Sequence, residues 1–136
     1  MKYITSCGFV TYKQANGRNS YLIIRSLNGD VGFPKGHVEA GESEIETALR
    51  ELKEETNVDV EVIPGFRCQI EYEIPNSDGV IKRAVYFLGK CISDNVACQE
   101  TEVTNAVFLP YEEAKKELTF NETKQILEKA EIFIEK

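Results

Sequence analysis

Carboxylates concentrated between Gly36 and Val58 are the groups of this chain best suited to chemistry. The stretch reads GHVEAGESEIETALRELKEETNV. Ile45, Ala48, Leu49 and Leu52 recur at the spacing of one buried helical stripe. At about 100° per residue, Glu44, Glu51 and Glu55 fall together on one flank of that stripe, with Glu54 beside them. Like charges within a turn repel by a few tenths of a kcal/mol per pair, so a helix built for stability alone would intersperse lysine there. One reading is a solvated acidic face. The other is a set of oxygen ligands for a hard divalent cation such as Mg2+, which keeps waters and coordinates substrate phosphates. Arg50 lies on the other side, where it can pair with Glu42 or Glu46 and brace the preceding loop against the helix.

The elements that must position these groups are legible from periodicity and turn chemistry. Ser43 and Glu46 form a capping box that opens a helix over residues 43–56. Residues 3–13 and 20–26 read as strands, joined by a segment carrying the Asn16–Gly17 hairpin signal. Loop then runs through Phe33–Pro34–Lys35–Gly36 into the carboxylate stretch. Residues 58–62 alternate as a strand closed by Pro64–Gly65, residues 66–73 form another, and 80–91 return after the turn at 75–79. A connector at 98–102 leads to a short strand at 105–109, and Pro110 opens a helix. The last helix takes Asn121 as its N-cap and repeats Ile126, Leu127, Ala130 and Ile134. The pattern predicts an α/β (α+β) protein, a mixed sheet flanked by helices, in one domain spanning residues 1–136.

Composition narrows the partners. The net charge is −7 and no Lys/Arg cluster exceeds a pair, which argues against general affinity for duplex nucleic acid. A phosphate substrate remains compatible, because a bound cation inverts the local field. No apolar run is long enough to span a membrane, and the start lacks a signal-peptide pattern. Cys7, Cys68, Cys91 and Cys98 are scattered without metal-ligand spacing, as expected of thiols in a reducing cytoplasm.

Gly36, then Glu42, then Arg50-Glu51-Leu52-Lys53-Glu54-Glu55-Thr56-Asn57-Val58 resembles the signature of the Nudix hydrolases, which split nucleoside diphosphates linked to another group using divalent metal. Asn57 stands where that family has glycine. The site calls for a left-handed backbone, which Asn adopts next most readily. The resemblance implies an alpha/beta/alpha sandwich. It implies Glu51, Glu54 and Glu55 as ligands for Mg2+ (or Mn2+), joined by the backbone carbonyl of Lys35, with Glu42 and Arg50 as the bracing pair. Two glutamates qualify as general base, Glu54 inside the signature and Glu102 on the later connector.

The segment Pro34-Lys35-Gly36-His37-Val38-Glu39, the strand Lys82–Leu88 and Phe120 resemble more narrowly the subgroup that splits diadenosine tetraphosphate into ATP and AMP. That likeness implies an adenine-containing dinucleoside polyphosphate as the small-molecule partner, with Tyr86 and Phe120 sandwiching a base. Lys35, His37 and Lys82 would reach polyphosphate oxygens. Removal of pyrophosphate from an RNA 5′ end or from nucleoside triphosphates is the alternative within enzymes, and a non-catalytic nucleotide sensor the alternative outside them.

Overall fold

The computed structural model describes residues 2–93, 95–98 and 103–135. Its organising strand is β1 (Lys2–Ala15), which pairs in parallel with β6 (Val80–Ser93) from Lys2↔Val80 to Tyr12↔Lys90. On its other side β1 is shared. Residues Ser6–Gly8 pair with the short β4 (Lys35–His37), and Tyr12–Ala15 with β2 (Arg18–Ser26). The β1–β2 hairpin closes at Asn16–Gly17, both at positive φ (55° and 75°). Such a two-residue turn matches strand twist, so pairing continues to Ala15↔Arg18, further than the sequence pattern suggested. Strand β3 (Val31–Gly32), β5 (Asp59–Glu73) and β7 (Val103–Pro110) complete a seven-stranded mixed sheet ordered β3-β2-β1-β6-β5, with β7 on β2 and β4 on β1.

Both faces of the sheet are covered, which is why the central strands read as continuous apolar runs. Cys7, Phe9, Leu22 and Val85 face α1 (Glu44–Thr56), meeting its Ala48 and Leu52. Val10, Tyr12, Tyr21, Tyr86 and Leu88 face the opposite way, onto α2 (Tyr111–Glu117) and α3 (Asn121–Glu135). This is an α/β/α sandwich. Of its helices, none is long and apolar enough to cross a membrane among the described residues.

Four local expectations differ from what forms. The stretches 58–62 and 66–73 are one strand: Pro64–Gly65 shifts the register between Ile63 and Arg67, with Gly65 at φ 91°, but does not turn the chain. A proline there removes one ladder donor, and a bulge absorbs the loss. Val31–Gly32 and Lys35–His37 are strand, not loop, because β2 and β1 offer them open edges. Asn121 is the first residue of α3 and not its cap, since the Phe120 carbonyl accepts the first helical bond from Lys124 N (3.2 Å). Leu49 is 39% exposed. The buried stripe of α1 runs instead through Ala48, Glu51, Leu52 and Glu55.

Candidate active site

Ser43 caps α1 as the capping box requires, its hydroxyl accepting from Glu46 N and Glu46 returning to Ser43 N (2.8 Å). That occupies Glu46 and leaves Glu42 as the partner of Arg50. Arg50 Nε donates to Glu42 Oε2 at 2.6 Å and Nη2 to Glu42 Oε1 at 3.0 Å, the bidentate fork that gives a carboxylate two parallel charged bonds. The guanidinium holds the Glu42 carboxyl down to about 2, helped by the Glu39 amide and the Thr47 hydroxyl. Arg50 Nη2 also donates to the His37 carbonyl (3.0 Å), so the brace ties β4, the loop and α1 at one point.

Glu51 and Glu55 lie in the sheet-facing stripe, 8% and 2% exposed. Gly36 makes room for the first: a Cβ there would stand 2.0 Å from Glu51 Cδ and Oε2. Gly8 serves the same region, since a Cβ on it would meet the Pro34 carbonyl at 2.1 Å and prevent β4 from approaching β1. Glu54 is about half exposed, and Arg50 Nη1 lies 3.2 Å from both Glu54 Oε2 and Glu51 Oε2. Glu44, expected on the same flank, turns away to an ion pair with Arg67 of β5, at 3.0 Å for both forks. Asn57 ends α1 at φ 62° and ψ 16°, its N–H bonded to Lys53 O and its side chain to Asn95 O (3.0 Å). Glu102 lies outside the described residues.

Two hollows meet at two lysines. A hollow of about 300 Å³ is bounded by Gly36, His37, Glu39, Arg50 and Glu51. A cleft of about 580 Å³ opens on the α3 side of the sheet, with Val31, Phe33, Ile70 and Ala84 among its walls. Lys35 and Lys82 line both. Burial first, then the neighbouring Lys82, push the Lys35 ammonium down to about 8, against the attraction of Glu55 and Glu51. Tyr86 forms part of the cleft wall but is 1% exposed, its ring edge-to-face with Phe33 at 5.6 Å. Phe120, by contrast, presents a ring 51% exposed. His37 is exposed at the rim of the smaller hollow.

The arrangement places the Glu51 carboxylate, a pair of ammonium groups and an aromatic cleft in succession. The model of the NUDIX domain matches residues 7–130. The chain belongs to the Nudix family. Full-length similarity is found to the mouse bis(5'-nucleosyl)-tetraphosphatase [asymmetrical], 29% identical and covering 96% of this chain and 95% of that one. The crystal structure of a C. elegans Ap4A hydrolase binary complex superposes with a TM-score of 0.85 at 28% identity, over 96% of this chain and 97% of that one. An RNA pyrophosphohydrolase of Nitratiruptor sp. is 33% identical over 65% of this chain and 63% of its own.

Nudix hydrolases generally use divalent metal ions. Of the implied donors, Glu51 and Lys35 line the small hollow, Glu55 lines the adjoining cleft, and Glu54 lies on the exposed side of α1; they fit such an ion in kind. Glu51, Glu54, Glu55 and the Lys35 carbonyl are all hard oxygen donors, and the bare Cα of Gly36 is what admits Glu51. Among the described residues no three acidic, histidine or cysteine side chains already converge on one point. Arg50 Nη1 stands between Glu51 and Glu54 instead.

The sequence reading missed Tyr72, 47% exposed in the same cleft and directly across from Lys82 in the β5–β6 register. It also missed Phe33 and the loop through Asn28 and Asp30. Tyr72 carried a weak signal, an aromatic on a strand beside the turn. The others carried none.

Proposed function

We propose that this Nudix hydrolase splits a dinucleoside tetraphosphate asymmetrically, diadenosine tetraphosphate to ATP and AMP, with Mg2+ as its ion. The observation that carries the reading is the sharing of Lys35 and Lys82 between the acidic hollow and the aromatic cleft. A polyphosphate laid across the two ammonium groups has its reacting phosphorus at the carboxylates and a base in the cleft. The names of the mouse and C. elegans relatives point the same way.

Glu51, Glu54, Glu55 and the Lys35 carbonyl would hold the ion. When bound, it neutralises phosphate oxygens and lowers the pKa of water. The chain's own groups do the rest. Lys35 and Lys82 orient the chain of phosphates through charge-assisted bonds. Glu54, the most exposed of the three glutamates and the one least enclosed by the fold, accepts the proton of the attacking water as the new P–O bond forms. The anhydride P–O bond then breaks and the leaving nucleotide carries the electron pair. Glu102 on the connector is the other candidate for this proton. Arg50 holds the hollow's wall through Glu42 and the His37 carbonyl. Exposed aromatics of the cleft stack on a base, a contact worth about 1–3 kcal/mol. His37, at the rim, is within the same hollow to meet a phosphate oxygen.

Removal of pyrophosphate from an RNA 5′ end is the second reading, supported by the partial match to an RNA pyrophosphohydrolase. The net charge of −7 disfavours it, because single-stranded RNA needs a basic track. Product analysis separates the readings. With Mg2+ and diadenosine tetraphosphate, beside a triphosphorylated RNA oligomer and nucleoside triphosphates, ATP and AMP in equal amounts and well ahead of other turnover are expected. Pyrophosphate released from RNA or triphosphates as the faster reaction overturns the substrate, and no turnover of any of them favours a nucleotide sensor.

A further inference from the structure

Stacking holds a base without identifying it, because every base has a π-face. Discrimination must come from groups that meet the base edge. On the cleft wall beside Phe120, the loop between β2 and β3 supplies two such groups, Asn28 and Asp30. The loop is fixed by its own bonds. Ser26 N donates to Asp30 O (2.8 Å), Gly29 N to Ser26 O (2.9 Å), and Arg25 Nη1 to Gly29 O (3.1 Å). Asp30 N donates to Asn28 Oδ1 (3.0 Å), which commits that oxygen and leaves the Asn28 amide nitrogen as a donor. The next residue locks the loop to the segment carrying Phe120. Val31 N donates to Thr119 Oγ1 at 2.7 Å, and Thr119 N donates to Val31 O at 3.1 Å.

The Asp30 carboxylate is half-buried on this wall, and among the described residues no side-chain hydrogen bond or ion pair occupies it. A carboxylate accepts only, so the complement it asks for is a donor, which on the edge of a base is an N–H. The phosphate-binding lysines line the same cleft, and Asp30 sits five residues before Lys35 on the chain that forms its wall. We propose that Asp30 is a specificity-determining residue that accepts the exocyclic amine of an adenine stacked in the cleft, with Asn28 donating to an adjacent ring nitrogen. This rests on the reading of the cleft as a base site. It assigns the selectivity to a preorganised loop that lies outside the Nudix signature.

The test compares diadenosine tetraphosphate with the same dinucleotide built from purine riboside, which keeps the ring for stacking but lacks the amine. The wild-type protein is expected to favour the adenine substrate by about tenfold in kcat/KM, carried by KM, the scale of one good base-edge contact. Asp30→Ala, which removes the acceptor, is expected to bring the two substrates within about twofold, while the melting temperature stays at the wild-type value because only the backbone of Asp30 supports the loop. Phe120→Ala is expected to weaken both substrates and keep their ratio. Equal use of both dinucleotides by the wild type overturns the inference and leaves the proposed reaction standing. So does a preference that survives Asp30→Ala. Failure to turn over either dinucleotide removes the proposed reaction itself.

Discussion

Replacing Gly36 by alanine tests whether Glu51 is held where an ion needs it. The added methyl would sit 2.0 Å from Glu51 Cδ and Oε2 and 2.4 Å from Oε1. Contacts that short do not occur, so something must shift. The backbone of β4 is pinned by its pairing with β1 and by the bond from Arg50 to the His37 carbonyl. The carboxylate is the softer part and is expected to swing out. That breaks its contact with Arg50 Nη1 (3.2 Å), a charged hydrogen bond worth about 1.5–3 kcal/mol. An off-rotamer χ angle adds about 0.5–1.5 kcal/mol. Part is recovered in water, so a net loss of about 2–3 kcal/mol is expected, or roughly 10 °C in Tm for a domain of this size. Mn2+ affinity, read by calorimetry without substrate, is expected to fall at least about tenfold, and kcat at least about a hundredfold. Shortening the partner in the double variant Gly36→Ala, Glu51→Asp relieves the overlap, so its stability loss is expected to be smaller than the sum of the singles. A Gly36→Ala protein that melts within about 2 °C of wild type and binds Mn2+ equally well refutes the reasoning.

Glu54→Gln is expected to cost at least about a hundredfold in kcat with the fold intact by circular dichroism, the scale of a lost base or ligand; a near-wild-type kcat excludes Glu54 from the mechanism. Phe120→Ala is expected to raise KM for diadenosine tetraphosphate by about five- to a hundredfold with little change in kcat, from the stacking energy alone, whereas Tyr86→Ala is expected to cost about 3–5 kcal/mol of stability by emptying a core position, seen as a lower urea midpoint. Glu42→Gln probes the Arg50 brace through pH. Because the folded carboxyl is held at about 2, its contribution is present above the unfolded carboxylate range, near 4.5, and is lost as pH falls through about 2. The Tm gap between wild type and Glu42→Gln is therefore expected to be full at neutral pH and to close between about pH 4.5 and 2; a gap that persists at pH 2 refutes it. Asn57→Ala is expected to lose about 1–2 kcal/mol from its left-handed backbone, while Asn57→Gly stays closer to wild type, as denaturant titration can show.

What the sequence determined by itself was local or carried by a dense motif. The capping box at Ser43, the Asn16–Gly17 turn, the left-handed Asn57 and the Arg50 brace depend on residues within one or two turns of each other, so their chemistry is readable without a fold. Apolar runs in β1, β2 and β6 likewise announced strands. Tertiary structure alone decided the rest. Whether Glu44 joins Glu51 depended on Arg67, which reaches it from a strand 23 positions away. Leu49 and Glu55 exchange the burial that hydrophobicity assigns them, because β4 and the lysines lie against the carboxylate side of α1. Tyr86 and Phe120 look alike as aromatics, yet the sheet buries one against Phe33 and leaves the other exposed at the start of α3. The cleft itself joins β3, β5, β6 and α3, and the Thr119–Val31 bonds that fix one wall span 88 residues. Closing loops of that length requires the whole core, and no pattern within a short window encodes which side chains will then face each other.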